Sequence, residues 1–190
     1  MKVHVLAPDP KWKDRFDAEA ASIKSALRTS HFAVHHIGST SIPGIYAKPV
    51  IDILLEVSDV KELENHSPDL ELLRYEAKGE FGIPGRRYFR KNSEAGIRTH
   101  QIHAFESASE GLVRHLAFRD YMIAHPALAQ EYSELKKRLS DQFPDDIEAY
   151  MDGKDSFIKE HEQKALRWKK NAQPGATDNP DDAQRLREDH

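Results

Sequence analysis

The 190-residue chain contains no cysteine, so it has no disulfide bonds, no thiolate metal site and no cysteine nucleophile. It also contains no apolar run near the roughly 20 residues that a membrane-spanning helix requires. Its first residues, 1–8, are too few and too polar for a signal peptide. We therefore expect a cytoplasmic protein that does not contact a membrane.

Basic residues are in the minority, because 28 lysines and arginines face 32 acidic residues and give a formal net charge of −4 at pH 7. A general nucleic-acid binder needs a clear basic excess, so the composition argues against nucleic acid as a partner. The chain is 38% hydrophobic and 32% charged, which is typical of a folded, water-soluble protein. Its length suits one domain with a substantial core and leaves the oligomeric state open.

The first part of the chain alternates predicted helices and strands. Apolar residues at helical spacing predict an amphipathic helix from about Pro10 to Arg28. Apolar and β-branched runs between turn residues predict the strands. The predicted strands cover residues 32–37, 50–57, 75–81, 86–91 and 97–105, and two further short helices cover residues 59–66 and 70–73. This order predicts an α/β (α+β) fold with a mixed sheet and a hairpin at one side.

The rest of the chain is predicted to be helical up to about residue 170. Three helices are marked by apolar residues at helical spacing, and His125-Pro126 and Phe143-Pro144 end the first two. Gly153 is a candidate break in the third, and we expect the three helices to cover one face of the sheet. The expected organisation is one domain at 1–170, with a sheet-containing part at 1–108 and a helical part at 109–170, followed by a disordered tail at 171–190.

The chain is organised around residues 35–57, where a strand, a polar turn and a buried strand follow one another. Gly38, Ser39 and Thr40 supply a permissive backbone, hydroxyl groups and amide donors that suit an anion. Asp52 lies inside the apolar run 50–57, where a charge is costly unless it is paired or binds a cation. This layout predicts a site for a phosphate-bearing ligand with a divalent metal ion. The alternative is that Asp52 is a structural acid, bonded to a neighbouring turn or lysine.

Four short segments of this stretch resemble the GrpB family, and the resemblance extends over roughly residues 3–168. The segments are Gly38-Ser39-Thr40, Pro43-Gly44, Ala47-Lys48-Pro49 and Ile51-Asp52-Ile53. The resemblance implies a nucleotidyltransferase-like mixed sheet, followed by a C-terminal helical segment packed on it. It implies no settled activity, although related domains occur fused to dephospho-coenzyme A kinase. By the same resemblance, the turn would hold phosphate and Asp52 would bind Mg²⁺ or Mn²⁺.

The chain departs from the nucleotidyltransferase pattern at one position. In nucleotidyltransferases the strand that corresponds to residues 50–57 usually carries two acids at alternate positions. Here Leu54 stands where the second acid is expected. Glu56 shares the face of Asp52 but lies roughly 13 Å away along a strand. Two-metal sites hold ions about 4 Å apart, so Glu56 cannot replace the missing acid.

Further candidate residues follow along the chain. Lys48 is either a phosphate contact or an ordinary surface lysine. Arg86 and Arg87 belong to a basic hairpin that either binds an anionic ligand or is simply solvated. The segment from His100 to His103 resembles another family block, in which a histidine commonly stands at the position of Gln101. We expect Gln101 to contact the ligand and His103 to lie near Asp52 as a metal ligand or general base, unless His103 merely bonds a backbone group.

Three hypotheses follow from these residues. The first is a protein of the nucleotidyltransferase superfamily that binds a nucleotide or phosphorylated small molecule and transfers a nucleotidyl or phosphoryl group, with catalytic Asp52 and His103. The second is a non-catalytic binding or accessory module, in a coenzyme A or nucleotide context, which has lost the paired carboxylates. The third is a metal-dependent hydrolase that uses His100, His103 and Asp52. Lys136 and Lys154 are further candidates for phosphate contacts in the same cleft.

Overall fold

The structure is a computed structural model that describes residues 3–28 and 32–172. Its helices and strands, in chain order, are α1 (Lys11–Leu27), β1 (Phe32–Ile37), a single 3₁₀ turn (Ser39–Ser41), β2 (Ile51–Val57), α2 (Val60–Asn65), α3 (Ser67–Leu72), β3 (Tyr75–Ala77), β4 (Arg87–Asn92), β5 (Arg98–Glu106), α4 (Glu110–Ala124), α5 (Pro126–Gln142) and α6 (Ile147–Ala172). Most of the predicted elements are therefore present. Among the described residues, no helix has the length and apolar character needed to cross a membrane.

Two boundaries differ from the predictions by more than two residues, and one predicted break is absent. Strand β3 ends at Ala77, because Gly79, Phe81 and Gly82 take positive φ angles and turn the chain. Helix α3 begins at Ser67, since Pro68 stands in its first turn, where no amide bond is lost. Helix α6 runs through Gly153 without a break. Residues 173–190, which make up most of the predicted tail, lie outside the described residues.

The sheet is mixed, as predicted, with the strand order β1-β2-β5-β4-β3. Its central strands β2 and β5 are parallel, and every other neighbouring pair is antiparallel. In the central pair Asp52 lies opposite Gln101, and Leu54 lies opposite His103. Because side chains alternate along a strand, these four residues project from one face of the sheet.

The opposite face of the sheet carries the main apolar core. Ile51, Ile53 and Leu55 of β2 are at most 1% exposed and pack against α1. Helix α1 buries Trp12 and Ile23 in the same cluster. A strand covered on this face and partly covered on the other explains the nearly continuous apolar sequence of β2.

Helix α4 covers the face that carries Asp52 and Leu54. It packs on β1, β2 and β5, while α6 packs mainly on α4 and α5. The expectation that all three helices cover the sheet directly is corrected accordingly, since α4 separates α6 from much of the sheet. A space remains at the Asp52 end, between the sheet, α5 and α6.

Helix α5 holds the crossover that joins the 3₁₀ turn to β2. The Tyr46 amide donates to Ser133 Oγ at 2.8 Å, and Lys136 Nζ donates to the Tyr46 carbonyl oxygen. Gln130 Nε2 donates to the carbonyl oxygen of Gly44 at 3.0 Å. The crossover is thus fixed by side chains from a helix more than 80 residues later in the chain.

Candidate functional site

The glycine of the polar turn allows the turn to approach Asp52 closely. Gly38 has φ +70° and ψ −174°, a conformation that is essentially restricted to glycine. A Cβ atom at Gly38 would overlap the Asp52 carboxylate. Ser41 Oγ closes the turn by donating to the Gly38 carbonyl oxygen at 2.6 Å. The turn and the acid therefore adjoin, and both contribute to one cavity.

A chain of hydrogen bonds orients the Asp52 carboxylate. Arg98 Nη1 donates to the Tyr88 hydroxyl at 3.0 Å, and that hydroxyl donates to Gln101 Oε1 at 2.7 Å. Gln101 Nε2 in turn donates to Asp52 Oδ1. Burial raises the pKa of Asp52 to about 6, against the opposing effects of the Gln101 bond and of nearby Lys154, Lys48 and Arg98. Asp52 is thus ionised at neutral pH but takes up a proton more readily than an exposed aspartate.

The cavity beside Asp52 has a volume of about 190 Å³. The turn and the sheet contribute Ser39, Thr40, Lys48, Val50, Asp52, Arg98 and Gln101 to its walls, and the helices contribute Lys136, Tyr150, Met151 and Lys154. Four of these side chains are cationic, and Asp52 is the single acid among them. In a chain with a net charge of −4, this is a local excess of positive charge.

The three lysines of the cavity are crowded together, with Lys136 buried and Lys48 and Lys154 half-buried. Lys136 is 1% exposed, and burial, with a contribution from Lys154, lowers its pKa to about 7. Burial also lowers the pKa of Lys154 to about 8, assisted by Lys48 and opposed by Asp52. Lys48 Nζ and Lys154 Nζ lie 5.5 and 5.2 Å from the centroid of the Tyr150 ring. Both amines therefore lie close to the same aromatic ring.

No carboxylate of the described residues forms an ion pair within 4.0 Å of these lysines or of Arg98. The acids that pair elsewhere in this part of the chain serve other cations, as Glu162 does for Arg114 at 2.9 Å. Buried cations without a paired acid repel one another and are costly. An anion in the cavity would relieve that repulsion.

Hydroxyl groups of the turn have unequal freedom to meet a ligand. Thr40 Oγ1 donates to the Val50 carbonyl oxygen at 3.4 Å and lies 3.0 Å from His36 Nε2. It is 8% exposed, so its hydroxyl chiefly braces the turn. Ser39 also lines the cavity and is less buried than Thr40, so its hydroxyl, which also contacts Tyr132, is the better candidate for a ligand contact.

Four of the predicted site residues do not line the cavity, namely Gly38, Arg86, Arg87 and His103. His103 lies one pleat beyond Gln101, where its Nδ1 is 3.3 Å from Arg86 Nη1 and its ring lies beside His115. Burial lowers the pKa of His103 to about 3, with smaller effects of His115 and Arg86. The expectation that His103 joins Asp52 at a metal ion is therefore corrected, because its ring packs beside His115 of α4, its Nδ1 contacts Arg86, and it does not border the cavity.

The two arginines of the hairpin are also engaged elsewhere. Arg86 is 6% exposed and donates to the carbonyl oxygens of Glu80 and Phe81, at 3.1 and 2.7 Å. Arg87 pairs with Glu64 at 2.5 Å. The expectation that both arginines meet a ligand beside Asp52 is corrected, since one closes the preceding turn and the other forms a surface ion pair.

The residues present do not fit a two-metal centre. Leu54 is fully buried against Ile37, Phe105 and Leu112, so the position of the second acid is sealed. Glu56 is bound to His35 Nε2 at 3.0 Å. No group of three or more metal-ligating side chains occurs among residues 3–28 and 32–172. Asp52 is left as the one carboxylate of the site, surrounded by competing cations.

The histidine set of the hydrolase hypothesis does not come together either. His100 projects from the opposite face of β5 to Gln101, and its Nε2 lies 3.9 Å from Glu19 of α1. His103 lies beside His115 of α4, and its Nδ1 is 3.3 Å from Arg86 Nη1. His100, His103 and Asp52 therefore occupy three separate surroundings.

Residues that sequence reasoning missed complete the site. In the sequence Arg98 is only one base of the hairpin, and no local pattern distinguishes Tyr150 and Met151 from core residues of a helix. Lys136 and Lys154 were not missed, because the sequence suggested both as phosphate contacts, and both line the cavity. Lys136 also carries a signal of its own, since a lysine at the buried phase of an amphipathic helix needs a reason to be there. Its neighbours Tyr132 and Leu139 on that phase are buried.

Comparisons with known proteins identify the family and the fold of this chain but not its chemistry. A model of the GrpB protein family matches residues 2–164. The UPF0157 protein YqkA of Bacillus subtilis is 45% identical over 169 residues, which are 89% of this chain and 49% of YqkA. This chain thus spans about half the length of that relative. The dephospho-CoA kinase of Mycolicibacterium paratuberculosis is 24% identical over 87% of this chain and 46% of that protein.

Two solved structures are similar to the fold. The conserved protein GrpB from Enterococcus faecalis gives a TM-score of 0.81 at 41% identity, covering 86% of this chain and 98% of that one. The Cid1 poly(U) polymerase, solved with Mg 3′-dATP bound, gives a TM-score of 0.51 at 14% identity, covering 74% of this chain and 43% of that one. The second likeness shows a nucleotidyltransferase-like fold, as predicted, and carries no information on activity.

Proposed function

Because this chain belongs to the GrpB family, we propose that it binds a phosphorylated small molecule or nucleotide, in the cytoplasm, through the cavity beside Asp52. One observation carries the proposal: Lys48, Lys136, Lys154 and Arg98 converge on a cavity that contains a single carboxylate. Lysine amines bind phosphate as mobile point charges, and arginine binds it through a fixed fork of donors.

The cations take the place that metal ions would have in a transfer enzyme. A phosphate group in the cavity accepts hydrogen bonds from the lysine amines and from the Ser39 hydroxyl. Asp52 attracts the amines and so offsets part of their mutual repulsion, and it accepts a hydrogen bond from the amide of Gln101. Binding of this kind needs no divalent ion, which favours the non-catalytic binding module over metal-dependent transfer.

The second candidate is nucleotidyl or phosphoryl transfer to an unknown acceptor, supported by Mg²⁺ or Mn²⁺. It is favoured by the direct contact between the Gly38 turn and Asp52, since a phosphate on the turn would lie beside the carboxylate. A single carboxylate among four cations does not supply the ligands of two ions. Transfer therefore ranks below binding.

A thermal-shift screen of the full chain tests the proposal. The ligands are nucleotides, coenzyme A and its phosphorylated precursors, each with EDTA, with Mg²⁺ and with Mn²⁺. Coenzyme A compounds are included because a dephospho-CoA kinase is among the relatives. We expect stabilisation by a phosphorylated ligand in EDTA, since a ligand that binds only the folded state raises the unfolding temperature.

Two variants show where the ligand binds. Lys154→Met should abolish the shift, whereas Lys159→Met, on the same helix but paired with Asp155 at 2.6 Å, should keep it. Stabilisation that requires metal and disappears in Asp52→Asn would instead support transfer. A chain that responds to no phosphorylated ligand, in any of the three conditions, would contradict both candidates.

A further inference from the structure

We infer that the cavity binds the diphosphate end of a larger molecule and takes up protons as it does so; this inference rests on the proposed function. Three observations support it: the size of the cavity, the number of its unpaired charges, and the presence in its wall of two amines, one buried and one half-buried, that influence one another.

The cavity is too small for a whole nucleotide. Its volume is about 190 Å³, whereas pockets that enclose complete small-molecule ligands begin at about 300 Å³. Met151 contributes to the wall and is 45% exposed, so the cavity opens to solvent past this side chain. The charged end of a ligand fits inside, and the rest of the molecule lies outside along α6.

The charge of the cavity matches two phosphoryl groups better than one. When Lys48, Lys136, Lys154 and Arg98 are all protonated, Asp52 compensates one of the four positive charges. A phosphate monoester carries at most about two negative charges at pH 7, which leaves one cation unpaired and buried. A second phosphoryl group supplies the missing charge and further acceptor oxygens.

The buried amines couple this binding to protons. Burial lowers the pKa of Lys136 to about 7 and that of Lys154 to about 8, so each amine is partly neutral near neutral pH. A bound diphosphate favours the charged form of both amines, which raises their pKa and draws protons from solution. The charged or titratable groups that face them are Asp52 of β2, Lys48 of the crossover, Arg98 of β5, Tyr132 of α5 and Tyr150 of α6.

Isothermal titration calorimetry on the full chain tests the inference with inorganic phosphate, pyrophosphate and tripolyphosphate, all in EDTA. At pH 7 we expect pyrophosphate to bind at least about 10-fold more tightly than phosphate, and tripolyphosphate to add little. Between pH 7 and pH 9 the affinity for pyrophosphate should fall as the free amines lose their protons. Buffers of different ionisation enthalpy should report net proton uptake.

Matched variants keep the inference testable if one of them fails to fold. Lys154→Met should remove the preference for pyrophosphate and lower the proton uptake, and Lys159→Met should change neither. If circular dichroism shows that Lys154→Met is unfolded, Lys48→Met, at a half-buried position, replaces it in the same measurements.

The outcomes separate this inference from the proposed function. Equal affinity for phosphate and pyrophosphate, or binding of pyrophosphate without proton uptake, would overturn the diphosphate inference and leave phosphate binding intact. Failure of all three anions to bind, together with a negative thermal-shift screen, would overturn both. Unchanged pyrophosphate binding in folded Lys154→Met and Lys48→Met would place the anion elsewhere and would also overturn both.

Discussion

Asp52 and Leu54 project from the same face of β2, one pleat apart, and have opposite surroundings. Asp52 borders a cavity with four cations, whereas Leu54 is sealed by Ile37, Phe105 and Leu112. The strand backbone is regular across both positions, so the difference comes from the helices above it. Helix α4 packs onto the Leu54 end, and α5 and α6 leave a space at the Asp52 end. The extent of the polar site is set by the placement of these helices.

The strongest way to break this comparison is to give both positions an acid. Leu54→Asp buries a charge with no partner, and we expect a loss of about 4 kcal/mol in the free energy of unfolding, measured by urea unfolding at pH 7. Leu54→Met keeps the volume and should cost less than about 1.5 kcal/mol. Wild-type stability in folded Leu54→Asp would show that α4 does not seal the position.

The next prediction concerns the contact between the turn and the acid. Gly38→Ala should destabilise the protein by about 2–3 kcal/mol, because φ +70° is strained for alanine and its Cβ meets the Asp52 carboxylate. Adding Asp52→Ala removes the overlap but leaves the backbone strain, so Gly38→Ala should cost about 1 kcal/mol less in the Asp52→Ala background than in the wild type. Purely additive losses in urea unfolding would contradict a direct contact.

A smaller effect is expected from removing the charge of Asp52. The pKa of this carboxyl is about 6 in the folded protein, against an ordinary value of 3.8. Between these values the folded protein holds more protons, so the free energy of unfolding falls as the pH rises from 4 to 6 and stays low above it. Asp52→Asn should remove this fall and stabilise the protein at pH 7 by about 1–2 kcal/mol.

The measurement for Asp52→Asn is urea unfolding at a series of pH values. Asp141→Asn, at an exposed position of α5, is the matched control and should leave the pH profile unchanged. If Asp52→Asn is less stable than the wild type at pH 7, the carboxylate is held more favourably in the folded state than in the unfolded chain.

The smallest effect is expected at Lys136. Its pKa is about 7 in the folded protein, against an ordinary value of 10.5, so between pH 7 and pH 10 the unfolded chain holds the extra proton. The free energy of unfolding should therefore rise with pH in this window. Lys136→Met should reduce the rise. Its effect on the free energy of unfolding at pH 7 should stay within about 1 kcal/mol, because the gain from removing a buried amine is offset by the loss of its bond to the Tyr46 carbonyl.

Thermal or urea unfolding at pH 7 and pH 9 checks this prediction. Lys137→Met, at the next and exposed position of the same helix, serves as the control and should preserve the rise. Lys154, whose pKa is also lowered, contributes a rise of its own, so only an undiminished rise in Lys136→Met would mean that the Lys136 amine is already charged at neutral pH.

Local sequence was enough to predict the half of the site that the sheet provides. The glycine turn, the apolar strand and the single acid follow one another within residues 38–52, so their proximity is dictated by one short connection. Alternation along β5 also placed Gln101 on the face of Asp52, as the register confirms. These relations depend on backbone geometry over a few residues.

The helical half of the site depends on packing that no short segment encodes. Lys136 and Lys154 reach the cavity from two helices more than 80 residues after Asp52, and their positions depend on how α5 and α6 dock. The same limit explains the misplaced residues. Alternation puts His103 on the correct face, but only the docking of α4 shows that its ring meets His115 and Arg86 instead of the cavity. Arg86 likewise looked free until the turn at Glu80 and Phe81 was placed beside it.

The hydrogen bonds from α5 to the Tyr46 backbone have a consequence for ligand binding. An ammonium group has three hydrogens, and Lys136 uses one of them on the Tyr46 carbonyl. Two hydrogens remain for an incoming anion, so the bond from Lys136 to the Tyr46 carbonyl can persist when the anion enters the cavity. Docking would then proceed without refolding of this segment, and little ordering entropy would be lost on arrival.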